Sequence, residues 1–272
     1  MAPETAIRFV KAEANGNDFL IIDAAAVAPA ARAEFTRRVC DRHRGIGADG
    51  VEFVRSRGAG FELALFNSDG TEAELSGNGT RCVAAFYARH GFRQGEMVTR
   101  AGPRAARVLD GGGEMWIIEL DMGAPQIAGR ERIAVAGRDF EVFILSVGNP
   151  QCVLLVEAFP QDWEALGMAI ANHPRFPQRT NVAFVQVLDR HHLDARIVER
   201  GVGPTRSSGT GTCAAAITAI ASGVAATPVE VATPGGRQKI SWVGGSPAGG
   251  GTVKLTGPAW IVAEGMVFPR AL

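Results

Sequence analysis

Long apolar runs are missing from this sequence. The longest are interrupted well before 18 residues, too short for a membrane-spanning helix. A charge excess is missing too. Its 28 basic and 28 acidic residues cancel, leaving no global field to draw in nucleic acid or an anionic surface, and no long charge run to do so locally. The opening M-A-P-E-T-A-I-R lacks the basic stretch and apolar core expected of a secretory signal. The four cysteines, Cys40, Cys82, Cys152 and Cys213, form no C-x-x-C pair and have no histidine at ligand spacing, so no zinc site is expected. They read as small buried hydrophobes in a reducing cytoplasm.

What is present is a globular chain, 46% apolar, with 34 glycines acting as punctuation. Runs bounded by Gly, Pro, Asn or Asp predict strands at 61–66, 114–120, 140–147, 152–156, 182–188 and 194–199. Two Ala-rich segments predict helices, from about Gly79 to His90 and from about Thr212 to Ala221, each stopped by a glycine, Gly91 and Gly223. With few charges on any face, both helices are expected to be buried all round. Segments 234–237 and 244–251 read as turns between late strands.

Both helices follow a Ser-Gly-X-Gly-Thr turn, headed by Ser76 and Ser208, which are 132 residues apart. The same offset carries Gly16-Asn17 onto Gly148-Asn149 and Gly91 onto Gly223. One ungapped register joining three features predicts a duplicated α/β (α+β) fold. Glycine-rich turns at helix starts leave backbone N–H groups pointing outward, so two of them make an anion cradle suited to a small carboxylate. Neither turn carries the Lys-Ser/Thr of a phosphate loop or a complete G-x-G-x-x-G, which speaks against a nucleotide.

The segments G-N-D-F (16–19), G-I-G-A-D-G (45–50), F-N-S-D-G-T-E (66–72), S-G-N-G-T-R-C (76–82), G-N-P-Q (148–151) and E-R-G-V-G-P-T-R-S-S-G-T-G-T-C (199–213) resemble, in order and spacing, the signatures of the diaminopimelate epimerase family. The resemblance runs through most of the chain. It implies two pseudo-symmetric domains, each a curled mixed sheet around a central helix, with the site in the cleft between them. The domains would comprise residues 1–127 with 262–272, and residues 128–261. It implies a cofactor-independent, metal-free interconversion of L,L- and meso-2,6-diaminopimelate, serving lysine biosynthesis, in a cytoplasmic homodimer with no nucleic-acid or membrane partner. By that resemblance Asn17, Asn67, Asn149 and Asn181 would hydrogen-bond the substrate. Glu199 and Arg200 would read its distal ammonium and carboxylate, and the backbone of Gly77, Asn78, Gly209 and Thr210 would hold the α-carboxylate.

The family's two proton-transfer residues are cysteines; here those positions are Ser76 and Ser208. A thiol with a pKa of about 8.5 reaches its thiolate near neutrality, whereas a hydroxyl needs a neighbouring base. No His or Lys lies beside either serine in the sequence. Three readings stay open: an engineered inactive form, a natural homologue with altered activity such as a dehydratase or single-base isomerase, and an amino-acid binder without turnover. An isomerase of another amino acid is a further alternative, against which Glu199-Arg200 speaks. Gln151 and Pro204 also differ from the family's usual His and acidic residue. Cys82 and Cys213 fall more than a helical turn beyond the cradle, too far to replace the serines. His43, His90, His173, His191 and His192 read as surface or loop residues, Asp49 and Asp69 as turn formers, and Trp116, Trp163, Trp242 and Trp260 as core.

Overall fold

The computed structural model describes residues 6–268. Residues 1–5 and 269–272, assigned above to the N-terminal domain, lie outside them, as does most of the opening segment read for a signal. The chain divides into two compact units, one running to Leu120 and resuming at Gly257, the other spanning Asp121–Thr256.

In the first repeat the order is β1 (Ile7–Ala14), β2 (Asn17–Asp23), α1 (Arg32–Val39), β3 (Gly50–Arg57), β4 (Gly60–Asn67), β5 (Glu72–Ala73), α2 (Gly77–Ala88), β6 (Gln94–Thr99), β7 (Gly102–Gly112) and β8 (Met115–Gly123). The second runs β9 (Gln126–Val135), β10 (Arg138–Ser146), β11 (Pro150–Leu155), α3 (Trp163–Ala171), β12 (Asn181–Val187), β13 (His192–Glu199), β14 (Gly203–Thr205), α4 (Gly209–Ala221), β15 (Val229–Thr233), β16 (Gly236–Val243) and the long β17 (Thr252–Val267). Shifted by 132 residues, β4 superimposes on β13 in the numbering and the first residue of α2 falls on the first of α4. The glycines of that register share a conformation that side chains resist: φ is 76° at Gly16 and 85° at Gly148, 94° at Gly91 and 76° at Gly223.

In the first unit the strands join as β1-β2-β3-β4-β6-β7-β8, and β17 pairs with both β8 and β1, closing the ring. Parallel pairs, β2–β3 and β4–β6, occur where a helix intervenes; the hairpins are antiparallel. The second unit repeats the plan as β9-β10-β11-β12-β13-β15-β16-β17, with β11–β12 and β13–β15 parallel. The architecture is thus the sheet-dominated α+β duplication expected from sequence.

Strand alternation explains the layering. Leu20, Ile22, Val51 and Phe53 face α1, where they pack with Phe35 and Val39. The opposite face of β2 and β3 meets α2, whose residues Gly77–Ala85 are all buried. In the second unit Cys152, Leu154, Val182 and Phe184 pack with Leu166 and Ile170 of α3. There α4 is buried from Gly209 to Ala219. Each such apolar side chain contributes about 1.5–3 kcal/mol by leaving water.

Several expectations need correction. The central helices begin at Gly77 and Gly209, two and three residues earlier than the sequence suggested. Their glycines suggested turn rather than helix, but a helical glycine costs only about 1 kcal/mol. Here packing requires it: a methyl group on Gly79 would overlap Glu52 Oε1, and one on Gly211 would press on Ile197. Helices α1 and α3 were not anticipated. Trp116 and Trp242 are buried and Trp163 half-buried, but Trp260 is 45% exposed because its side chain lies on the solvent face of β17.

Candidate active site

Each central helix opens on a serine. Ser76 is the N-cap of α2, and its Oγ accepts the Gly79 N–H at 3.0 Å. Ser208 caps α4 in the same way, accepting from Gly211 N–H at 3.2 Å. Serine is among the best N-cap residues because its extended backbone and short hydroxyl reach the third helical N–H. The next turn begins with Thr80 N–H to Ser76 O and Thr212 N–H to Ser208 O, both 2.9 Å. The N–H groups of Gly77 and Asn78, and of Gly209 and Thr210, therefore precede the intrahelical ladder.

In the first unit a chain of hydrogen bonds runs past the α2 cap. Arg81 Nη2 donates to Asn78 Oδ1 at 2.9 Å, and Asn78 Nδ2 to Asn17 Oδ1 at 3.2 Å. Asn17 Nδ2 donates to Asp49 Oδ2 at 2.8 Å, and Arg42 Nη2 to Asp49 Oδ1 at 2.8 Å. Asp49 is thus more than a turn former: it orients Asn17 and also accepts the Asp18 N–H at 3.1 Å. Asp18 forms a fork with Arg42 and an ion pair with Lys11 at 3.0 Å. Burial pushes its carboxyl up, but the hydrogen bonds and charges of Arg42 and Lys11 outweigh that and hold it at about 2. Asn67, at the end of β4, donates to Thr71 Oγ1 at 3.0 Å, and Asp69 bonds the same threonine within its own turn, as expected.

The second unit repeats the pattern with different side chains. Asn149 Nδ2 donates to Thr210 Oγ1 at 3.2 Å, the same 61-residue separation as Asn17 and Asn78. Gln151, 1% exposed, donates from Nε2 to Asn149 Oδ1 at 2.7 Å and to Thr210 Oγ1 at 3.2 Å. Its Oε1 is buried without a partner. Asn181 Oδ1 accepts the backbone N–H of Arg200 at 2.8 Å, and its Nδ2 donates to Pro150 O at 3.0 Å, so it ties the start of β12 to the end of β13. Arg200 Nη1 reaches Gln178 O at 3.5 Å. Glu199 closes β13 and is half-buried.

The first unit therefore gathers Ser76, Gly77, Asn78 and Asn17 at one helix start, with Asn67 at the end of β4. The second gathers Ser208, Gly209, Thr210, Asn149 and Gln151, with Asn181 and Arg200 linked to each other. Sequence reasoning missed Asp49, Arg42 and Arg81 as the supports of Asn17 and Asn78, since the two links that join them into one chain, Asn17–Asp49 and Asn17–Asn78, span 32 and 61 residues and leave no local pattern. It also missed Glu52, a 1% exposed carboxyl on β3 that burial alone pushes up to about 8. Its place in an unbroken strand, between Val51 and Phe53, hid it.

All four cysteines are free and buried. Burial pushes the Cys40 and Cys152 thiols up to about 12 and raises Cys82 further. Among the described residues no group of three or more His, Cys, Asp or Glu side chains could hold a metal ion, and no helix is long and apolar enough to cross a membrane. His43, His90, His191 and His192 are exposed; His173 is half-buried against Phe176.

Doubled sheet-around-helix units with capped central helices define the class of proline racemase-like and epimerase folds. Among solved structures, a hydroxyproline epimerase from Agrobacterium vitis matches with a TM-score of 0.73 at 16% identity, over 96% of this chain and 91% of that one. A predicted epimerase from Pseudomonas aeruginosa matches with a TM-score of 0.70 at 17% identity, over 96% and 99%. At such identities the likeness speaks for the fold. The sequence profile of diaminopimelate epimerase matches residues 9–128 and 143–261. The diaminopimelate epimerase of Stutzerimonas stutzeri is 38% identical over 96% of this chain and 99% of its own length, and that of Azotobacter vinelandii is 38% identical over the same shares. The chain belongs to the diaminopimelate epimerase family.

Proposed function

We propose that the chain binds 2,6-diaminopimelate and acts on the hydrogen of its α-carbon, the reaction that interconverts the L,L and meso isomers. The observation that carries this reading is the repeated helix start: a capping serine, two N–H groups ahead of the helical ladder, and an asparagine hydrogen-bonded to the second helical residue 61 positions downstream of it, once per unit. A cradle of that kind suits an α-carboxylate, and its helix dipole favours the charge that develops as the α-proton leaves. Asn17, Asn67, Asn149 and Asn181 supply further hydrogen bonds. Glu199 and Arg200 suit the distal ammonium and carboxylate, Arg through its bidentate fork. Ser76 and Ser208 occupy the two proton-transfer positions.

A second reading, binding without turnover, draws on those serines, since a hydroxyl is a poor base unaided. Deuterium exchange separates the two. Proton NMR of L,L-diaminopimelate with the protein in D₂O, beside a Ser76→Cys/Ser208→Cys variant, should show α-proton loss and appearance of the meso isomer in at least the cysteine variant. Silence from both would remove diaminopimelate as substrate.

The remaining features fit a cytoplasmic homodimer in lysine biosynthesis. Four free buried thiols suit a reducing compartment. Trp260 and Val262 lie at alternate positions of β17, each about half exposed, with Met266 beyond the ion-paired Glu264, apolar surface of the kind a second subunit covers. Sedimentation equilibrium at micromolar concentration tests the dimer; a monomer would remove it.

A further inference from the structure

The two repeats differ at one inward-facing strand position. Glu52 lies opposite Ile21 on β2 and Leu65 on β4. Ala183 lies opposite Val153 and Ile197, which are 132 residues on from those two. Ala183 is therefore the second repeat's counterpart of Glu52, the register having slipped by one residue between β2 and β3 and recovered it before β4. A small apolar residue satisfies the fold at this place. A carboxyl does not do so cheaply, because a buried polar group without a partner costs about 1–3 kcal/mol or more. Glu52 is 1% exposed and its Oε2 has no hydrogen-bond partner.

Its position gives that cost a use. Glu52 Oε1 sits against Gly79, in the space a methyl group there would fill. Gly79 is also the residue whose N–H Ser76 Oγ accepts. Ser76 thus accepts one hydrogen bond, and among the described residues none takes its own proton. Glu52 Oε1 and the Ser76 hydroxyl thus meet the same glycine, and the other oxygen of that carboxyl, Oε2, has no partner. The second helix has no such group: Ser208 Oγ is near Thr210 Oγ1, and Thr210 is bonded to Asn149 and Gln151, none of which titrates near neutrality.

We propose that Glu52 is the acid–base group behind Ser76, a positioning residue that drives proton transfer through the serine hydroxyl. The inference rests on the α-proton chemistry proposed above. In the forward step the Cα–H bond breaks and its proton bonds to Ser76 Oγ, while the Ser76 hydroxyl proton passes to the Glu52 carboxylate. The electron pair stays on the α-carbon, and the reverse step returns the proton. Burial raises this carboxyl to about 8, close to the thiol that the family places at position 76. Its facing strand neighbours, Ile21 and Leu65, are apolar. Charged and titratable groups on the packed elements include Arg81 and Cys82 on α2, Asp18 on β2 and Glu13 on β1; Arg81, Asp18 and Glu13 act together with Glu52 on the Cys82 thiol. Since Ala183 replaces the acid in the second repeat, the transfer is one-sided. Deuterium should enter one α-configuration faster than the opposite epimer forms.

The test uses the full chain with L,L- and meso-2,6-diaminopimelate in D₂O across pH 6–10. The unaltered protein should exchange the α-proton of one isomer, with a rate–pH profile bending near pH 8. Glu52→Gln should lose about 100-fold or more, and the bend with it. Glu52→Ala, which copies the residue its counterpart carries, should fold and lose as much. In a Ser76→Cys background the loss from Glu52→Gln should shrink, because the thiol carries its own acidity. Undiminished exchange by Glu52→Gln would overturn the relay. So would an inert unaltered chain beside an active Ser76→Cys/Ser208→Cys variant, which would leave the substrate reading standing. If every variant is inert, the substrate reading fails and the relay is judged without substrate, by ¹³C NMR titration of the Glu52 carboxyl. Its midpoint should rise by about half a pH unit or more in Ser76→Ala, since the lost hydroxyl favoured the charged form; an unmoved midpoint overturns the proposal.

Discussion

Ser76 Oγ accepts the Gly79 N–H at 3.0 Å, and that one bond gives the serine a structural task independent of any chemistry. Ser208 performs the same task for Gly211. Loss of an N-cap hydroxyl costs about 1 kcal/mol. Ser76→Ala and Ser208→Ala should each lower unfolding free energy by about that amount, and by about twice that together, in urea melts with an unchanged slope. Cysteine, a weak acceptor, should recover only part of the loss. Melts identical to the unaltered chain would mean that the caps contribute nothing.

Asp18 predicts how the first unit responds to acid. Its carboxyl is held at about 2 in the folded chain, below its ordinary value, by Arg42 and Lys11 against the upward pull of burial. A depressed carboxylate stabilises the fold above its unfolded pKa, and the contribution is lost as pH falls through the folded one. The stabilisation, about 2 kcal/mol, should therefore disappear between about pH 4 and pH 2. Asp18→Asn should flatten the stability–pH curve in that window. A curve as steep as before would assign acid sensitivity elsewhere.

Glu52 carries the opposite sign. Its folded value, about 8, lies above the ordinary carboxyl range because of burial. The folded state then holds a proton that the unfolded state has already released, so its full stability is present below about pH 4.5 and declines as pH rises toward 8. The loss is about 4 kcal/mol by pH 8, as an order of magnitude. Glu52→Gln should remove the slope and melt at a higher denaturant concentration than the unaltered chain at pH 8. Equal pH slopes in the two proteins would show that the carboxyl is not held neutral.

These residues also show what the sequence can reveal. The duplication was legible because glycines at Gly16, Gly91, Gly148 and Gly223 must adopt positive φ, which fixes their identity wherever the backbone plan recurs. The serine-headed turns and the Ala-rich helices after them were legible from local composition, although the serines' role as caps was not. Helix starts were not, because Gly79 and Gly211 are chosen by tertiary neighbours, Glu52 and Ile197, rather than by their own turn. Nor were the supports of the site. Asp49 stands in a glycine-flanked loop that explains an aspartate without any further role, and only the fold brings it to Asn17. Glu52 interrupts an apolar strand, a pattern that reads as an outward-facing charge until closure of the first unit's sheet ring places it inside.

Asp49 provides the sharpest check on the Asn17 assignment. One of its oxygens accepts from Asn17 Nδ2 and from the Asp18 backbone, and the other from Arg42. In Asp49→Asn, one of these two positions must present an NH₂ group, either to the Arg42 cation or to Asn17 and the Asp18 N–H. Either choice loses a charge-assisted bond, worth about 1.5–3 kcal/mol, and releases the Asn17 carboxamide from its fixed orientation. If Asn17 hydrogen-bonds the ligand, calorimetric titration with diaminopimelate should show affinity weakened about tenfold, equivalent to about 1.4 kcal/mol. Asp189→Asn serves as the control, since that exposed carboxylate bonds only its own loop through His191 and His192. Equal affinity in Asp49→Asn and the control would remove Asn17 from the binding set, leaving the helix start at Gly77 and Asn78 to hold the ligand in the first unit.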